Sequence, residues 1–176
     1  MDLMRQQATA GGWPLYLFGA VGVGKSFVAA SVFVRWRGTV SMLRYCDLIA
    51  NSIHVTKYGE LSRYNERDIL CEYSEASWWR YLADVGLVIV DEIGSGVPHE
   101  WRNELFWKFL ELRKGRPLIL TTNVDPDAIH EQFDGRIESR ILAGSLIEVT
   151  GRDQRRDGLK ARVHRVSTDP RQRAKT

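Results

Sequence analysis

Gly19-Ala20-Val21-Gly22-Val23-Gly24-Lys25-Ser26 is the stretch that decides how this chain is read. The eight residues fit G-x-x-x-x-G-K-[ST], a loop whose backbone N–H groups cradle phosphates. Three of the eight are Gly, because the loop must wrap an anion and turn its N–H groups inward. Leu15-Tyr16-Leu17-Phe18 reads as a short buried strand before the loop. Residues 27–33 read as a helix after it, which adds its positive N-terminal end. The pattern predicts phosphate or nucleotide contacts from Gly19, Gly22, Val23, Gly24, Lys25, Ser26 and Phe27. Lys25 would reach the β- and γ-phosphates, and the Ser26 hydroxyl would bind Mg²⁺. The implied cofactors are ATP and Mg²⁺.

Outward from the loop, strand and helix patterns alternate, which predicts an α/β fold with a parallel sheet covered by helices. Residues 39–45 read as a second strand. A polar helical region follows, broken near Lys57-Tyr58-Gly59, and residues 67–83 also read as helical. Residues 86–90 are wholly apolar, as a central parallel strand should be. Pro98 sits where a helix could start, Glu100 to Lys114 continues it, and Gly115 stops it. Residues 117–122 and 146–149 read as the remaining strands. Between them, Asp125 caps a helix with Pro126 in its first turn.

Composition bounds the rest. The 176 residues are 44% hydrophobic, enough to bury a core. The division expected is a short N-terminal segment over 1–12, an ATPase core over 13–150 and a basic, flexible tail over 151–176. The tail holds nine Lys/Arg against three Asp, so it carries +6 and the preceding residues −3 of the overall +3. Such a tail either touches nucleic-acid phosphates or is a solvated terminus. Cys46 and Cys71 have no metal-ligand spacing and are too few for a disulfide framework, so both are expected as buried thiols. The N-terminus lacks a signal-peptide apolar core, and no apolar run approaches the roughly 18 residues of a membrane span. A cytoplasmic protein is expected.

Three further motifs carry chemistry. The apolar strand ends in Asp91-Glu92, the Walker B arrangement. Asp91 would hold Mg²⁺, and Glu92 would orient or deprotonate the attacking water. Such a pair at the end of a buried strand is costly unless Mg-ATP meets its charge. The next strand ends in Thr121-Thr122-Asn123, which puts Asn123 where it can bond the water or the γ-phosphate. Arg136 and Arg140 in Gly135-Arg136-Ile137-Glu138-Ser139-Arg140 are four apart and share one helix face. An arginine given to a neighbouring subunit's γ-phosphate is worth about 10³–10⁵ in rate. The other reading of that pair is a solvated helix face.

This order of motifs, with Asp91-Glu92-Ile93-Gly94 and then Gly151…Arg155, resembles the AAA+ ATPases of the DnaC and DnaI helicase loaders and the related IstB transposition helpers. The resemblance covers about residues 13–156. It implies a three-layer P-loop AAA+ core with sheet order 5-1-4-3-2 and no separate lid domain. It makes Arg140 the arginine finger acting in trans, Arg136 its box partner and Arg155 a sensor-2-like nucleotide contact. Glu92, Asn123, Arg136 and Arg140 become the catalytic set. It also implies an ATP-dependent oligomer on single-stranded DNA, with loops near Lys57-Tyr58 and His99, Trp101 and Arg102 contacting the strand. Trp101 could stack on a base, worth about 1–3 kcal/mol, or pack in the core; Trp78 and Trp79 read as core.

The activity implied is an ATPase switch in DNA replication that helps load a replicative helicase. Loaders and IstB-type helpers carry extra N-terminal sequence, and only about a dozen residues precede the first strand here, so either a minimal, phage-borne version or a partner-binding part on a separate polypeptide is expected. Three alternatives stay open: an IstB-like helper acting on duplex DNA with a transposase, a P-loop small-molecule phosphotransferase, and an ATP-binding assembly factor with negligible turnover.

Overall fold

The computed structural model describes residues 12–65, 67–96 and 99–153. In chain order the elements are β1 (Leu15–Phe18), α1 (Lys25–Arg35), β2 (Val40–Arg44), α2 (Tyr45–Tyr58), β3 (Glu60–Tyr64), β4 (Leu70–Ser74) and α3 (Glu75–Asp84). They continue with β5 (Leu87–Asp91), α4 (Glu100–Leu112), β6 (Leu118–Thr121), a 3₁₀ turn (Pro126–Glu131), α5 (Gly135–Leu142) and β7 (Ser145–Glu148). Five strands form one parallel sheet in the order β2-β5-β6-β1-β7. Counting only these five along the chain, that order is the 5-1-4-3-2 which the resemblance implied.

Alternation along the strands builds two cores, one on each face of the sheet. Leu15, Leu17, Leu87, Ile89 and Ile119 face α1, where Ala29 is buried and Val28 and Val32 pack against them. Their neighbours Tyr16, Val88, Val90, Leu118 and Leu120 face the other way, onto α2, α3, α4 and α5. This is why Leu87–Val90 carries no polar residue: both of its faces are covered. Trp78 and Trp79 are buried in the larger core, as expected, with Trp78 Nε1 donating to Ser52 Oγ at 3.1 Å.

A buried guanidinium ties this layer together. Arg113, 2% exposed, donates to the carbonyls of Val85 at 2.6 Å and Ala83 at 3.1 Å, and also to that of Pro117. It thereby joins the end of α4 to the turn before β5 and to the start of β6. Burial, and then the nearby Arg116 charge, lower its pKa to about 10; it remains a cation at neutral pH.

The expectation of a helix over 67–83 is wrong for its first half. Residues 60–64 and 70–74 form an antiparallel hairpin, paired from Glu60↔Ser74 to Tyr64↔Leu70. Asn65 builds its turn, with Oδ1 accepting from the N–H of Arg67 at 2.9 Å and of Ile69 at 3.0 Å. Leu61, Arg63, Cys71 and Tyr73 alternate onto one face, where Tyr73 and Arg63 lie against Trp78. Apolar residues at 69, 70 and 73 mimic a helical spacing, but the period that packs is two. The helix starts only at Ser74, whose hydroxyl accepts from Ser77 N–H while Ser77 Oγ accepts from Ser74 N–H, a reciprocal cap.

Smaller differences follow the same logic. Cys46 is exposed and Cys71 half-buried, not buried thiols. Cys46 lies on the outer face of α2, since Tyr45, Leu48 and Ile49 take the inward positions. The helix expected to run to Lys114 ends at Leu112 with Arg113 as its cap, and Asp125-Pro126 opens a 3₁₀ turn instead of an α-helix. Pro98 and the tail beyond 153 lie outside the described residues. Among the described residues no helix is long and apolar enough to cross a membrane.

Candidate functional site

The first βα turn forms the floor of the site. Gly19 has φ +145 and its missing Cβ would lie 2.3 Å from Val149 O; Gly22 has φ +84 and a Cβ there would lie 2.0 Å from Asp153 Oδ1. A side chain at Gly19 would meet both backbone strain and fixed backbone, and one at Gly22 backbone strain and a carboxylate that must move aside. The turn delivers Lys25 into the first turn of α1, 8% exposed. Lys25 Nζ donates to the carbonyls of Gly19 at 2.9 Å and Ala20 at 2.7 Å and to Asn123 Oδ1 at 2.7 Å. Ser26 Oγ donates to Asp91 Oδ1 at 2.8 Å. Three motifs separated by up to 98 positions thus meet in one place.

They line a cleft of about 300 Å³ that includes Lys25, Ser26, Phe27, Glu92, Thr122 and Asn123. It lies where parallel strands β1, β5 and β6 end, the usual location for ligands in open α/β sheets. Phe27 is 75% exposed at its wall. Its residues fit a nucleotide triphosphate with a divalent cation. A nearly buried ammonium and a glycine-shaped loop suit phosphate oxygens. The paired Ser26 and Asp91 oxygens suit a hard ion that takes oxygen ligands.

The structure adds a residue that the motifs did not single out. Thr121, 1% exposed, uses one hydroxyl for both acidic residues: Oγ1 donates to Asp91 Oδ1 and accepts from Glu92 N–H at 3.0 Å. Glu92 itself is exposed with φ +60, a left-handed conformation uncommon outside Gly. The next N–H is anchored too, Ile93 N donating to Thr121 O at 2.9 Å. Thr122 Oγ1 donates to Ile93 O at 2.8 Å and accepts from Val124 N–H at 3.0 Å, so the Asn123 turn is tied to the Asp91-Glu92 turn. Tyr16 OH donates to Val124 O at 3.0 Å beneath it, and burial pushes that hydroxyl up to about 12. The signal for Thr121 was the Thr-Thr-Asn triplet itself; its role depends on strand register and could not be read from spacing.

The other expected residues lie elsewhere. Arg136 and Arg140 are on α5, as expected, but are not among the residues lining the cleft. Both turn onto α4: Arg136 pairs with Glu104 at 2.6 Å and Asp134 at 2.9 Å, and Arg140 pairs with Glu111. Asp134 caps α5, accepting from Arg136 N–H at 3.0 Å and Ile137 N–H at 3.1 Å. Burial alone would raise its carboxyl, but these bonds and the Arg136 side chain hold it below the usual carboxylate range. Lys57 and Tyr58 end α2, with Tyr58 60% exposed and Lys57 Nζ 5.1 Å from its ring centroid. His99 and Trp101 stand at the start of α4 with ring centroids 5.3 Å apart, and Arg102 lies over Trp101 at 5.5 Å. Trp101 is 40% exposed, so it is not a core residue. Arg155 lies outside the described residues.

No protein-family model and no curated protein matches this sequence. Solved structures do. A DnaC helicase loader is 16% identical with TM-score 0.64, over 85% of this chain and 89% of that one. DnaI is 19% identical with TM-score 0.62, over 85% and 84%. AMPPCP-bound DnaA from Aquifex aeolicus is 16% identical with TM-score 0.65, over 96% of this chain and 51% of that one. The chain spans about half the length of the AMPPCP-bound DnaA chains and of a DNA replication initiation factor that it matches. The likeness is one of fold: the five-stranded parallel sheet and its covering helices match these proteins over most of this chain.

Proposed function

We propose that this protein is an ATP-hydrolysing AAA+ switch of the helicase-loader kind, one that assembles on single-stranded DNA and helps place a replicative helicase. The observation that carries the ATPase half is the meeting of Lys25 with Asn123 and of Ser26 with Asp91 at a cleft that Lys25, Ser26, Glu92 and Asn123 line. Bound Mg-ATP would supply the reactive γ-phosphoryl group. Lys25 would exchange its loop carbonyls for phosphate oxygens. Ser26 and Asp91 would hold Mg²⁺, directly or through water. Glu92, the exposed carboxylate at the cleft, would take the proton of the attacking water, with Asn123 orienting that water. Arg140 would act in trans on a neighbouring copy's γ-phosphate with Arg136 beside it, since neither lines its own chain's cleft. The proposed division is a core over 13–150, a short leading segment over 1–12 and a basic tail over 151–176. Arg155 of that tail would contact the nucleotide.

The DNA half is supported by the fold shared with a DnaC helicase loader and with a DnaA bound to AMPPCP and single-stranded DNA. Exposed aromatic residues beside cations, Tyr58 with Lys57 and Trp101 with Arg102, suit bases and phosphates. Binding of labelled single-stranded and duplex DNA, with and without ATP at a stated moderate salt, tests this half. ATP-dependent preference for the single strand supports the loader reading. Preference for duplex moves the assignment to a transposition helper, and binding to neither overturns the DNA half. The ATPase half is tested apart from DNA. Arg140→Ala is expected to keep ATP binding and lose turnover, and Glu92→Gln to bind ATP and trap the assembled form. Normal hydrolysis by the Glu92 variant would refute its assignment.

A further inference from the structure

Arg136 and Arg140 lie one turn apart and share a single aromatic platform. Each guanidinium carbon is 5.5 Å from the ring centroid of Trp107, which α4 presents between them. The two are held differently. Arg136, the more exposed, is gripped by two carboxylates, those of Glu104 and Asp134. Those two bonds raise its pKa further above the ordinary guanidinium value. Arg140, with its side chain 25% exposed, has one carboxylate among the described residues, Glu111. Its Nε is buried with no hydrogen-bond partner among the described residues. A guanidinium has five N–H donors in a rigid fork suited to bidentate phosphate or carboxylate. Here that fork is incompletely used.

We infer that Glu111 and Trp107 are a parking position for Arg140, holding it against its own chain until another copy's nucleotide phosphate draws it away. The inference rests on the reading of Arg140 as the trans-acting arginine. Its chemistry is an exchange of anions. A terminal phosphate carries more charge than Glu111 and offers three oxygens, so it satisfies donors that the carboxylate leaves idle. Arg136 has two carboxylates to lose and stays, so it is the pivot while Arg140 swings. Glu111 is thereby a positioning residue. It sets how readily a copy donates its arginine, and so the protein concentration at which turnover begins.

The test is ATP turnover per subunit as a function of protein concentration, for the native chain, Glu111→Gln, Glu111→Asp, Arg140→Ala and the Glu111→Gln/Arg140→Ala double variant. Glu75→Gln is the control, because Glu75 is another half-exposed carboxylate paired to α4, through Lys108 at 3.8 Å. Removing the Glu111 charge is expected to shift half-maximal turnover to about two- to fivefold lower protein concentration, the span of a partly exposed ion pair, with the plateau unchanged. Glu111→Asp, which keeps the charge on a shorter arm, is expected to fall between. The control curve should superimpose on the native one, and the double variant should match Arg140→Ala. An unshifted curve for Glu111→Gln, or one moved to higher concentration, in a variant that melts like the native chain, overturns the parking position and leaves the trans arginine standing. Turnover in Arg140→Ala equal to native, or native turnover per subunit independent of concentration, overturns the trans arginine itself.

Discussion

Thr121 offers the sharpest perturbation, because one buried hydroxyl serves two acidic residues. In Thr121→Val the shape is kept and no cavity opens, so the change is confined to hydrogen bonding. The bond donated to Asp91 is charge-assisted and worth about 1.5–3 kcal/mol. The Glu92 N–H loses its acceptor; Glu92 is exposed, so water recovers part of that loss and about 0.5–1.5 kcal/mol remains. Together the variant is expected to lose about 2–4 kcal/mol. That corresponds to about 5–15 °C in melting temperature for a chain of this size. Thr121→Ser keeps the hydroxyl and gives up one buried methyl, about 1 kcal/mol, so it should melt between the two. Thermal unfolding of the three proteins without nucleotide reads this part directly. On the proposed ATPase, freeing Asp91 and the left-handed Glu92 should weaken Mg²⁺ affinity or lower turnover by about 10–100-fold, as loss of outer-shell support does. A Thr121→Val protein within about 0.5 kcal/mol of native, or one more stable than Thr121→Ser, would show that the hydroxyl bridge does not hold these residues.

Three further outcomes are expected. Gly22→Ala, which meets φ +84 and the Asp153 carboxylate, should bind a fluorescent ATP analogue at least about tenfold more weakly; undiminished affinity would exclude this turn as the phosphate floor. Asp134→Ala removes the α5 cap and should cost about 0.5–2 kcal/mol near pH 7 by denaturant titration. Because the Asp134 carboxyl is held below its ordinary value, its contribution is present above the unfolded carboxylate pKa of about 4. It is lost as pH falls through the folded value, so native and variant stabilities should converge in acid. Arg113→Met leaves several backbone carbonyls of the α3–β5 turn and β6 without a donor and should destabilise by about 2–4 kcal/mol in calorimetry; a neutral change would mean water replaces the guanidinium.

Much of the architecture was legible before any coordinates, because its determinants are local. The phosphate loop is a run of backbone conformations that only a Gly-rich octet adopts. The apolar run of Leu87–Val90 declares a strand covered on both faces. Asp91-Glu92 and Asn123 stand at the ends of their strands, so finding the strands placed the residues. The hairpin was missed because residues 67–83 satisfy a helical spacing and a strand alternation at once. Only packing of Tyr73 and Arg63 against Trp78 chooses between them.

What the tertiary structure alone decided are the pairings across distance. Thr121 reaches Asp91 because β5 and β6 lie in the register Val90↔Leu120, and a slip of one residue would turn its hydroxyl to the other face. Arg140 meets Glu111, and Arg113 meets the carbonyls before β5, through helix–helix and helix–turn contacts spanning about thirty positions. Sequence by itself determined which groups exist and which stand at strand ends, since spacing and conformational preference act along the chain. Which carboxylate holds which arginine is set by how the layers pack, a global minimum of burial and charge pairing that no local spacing encodes.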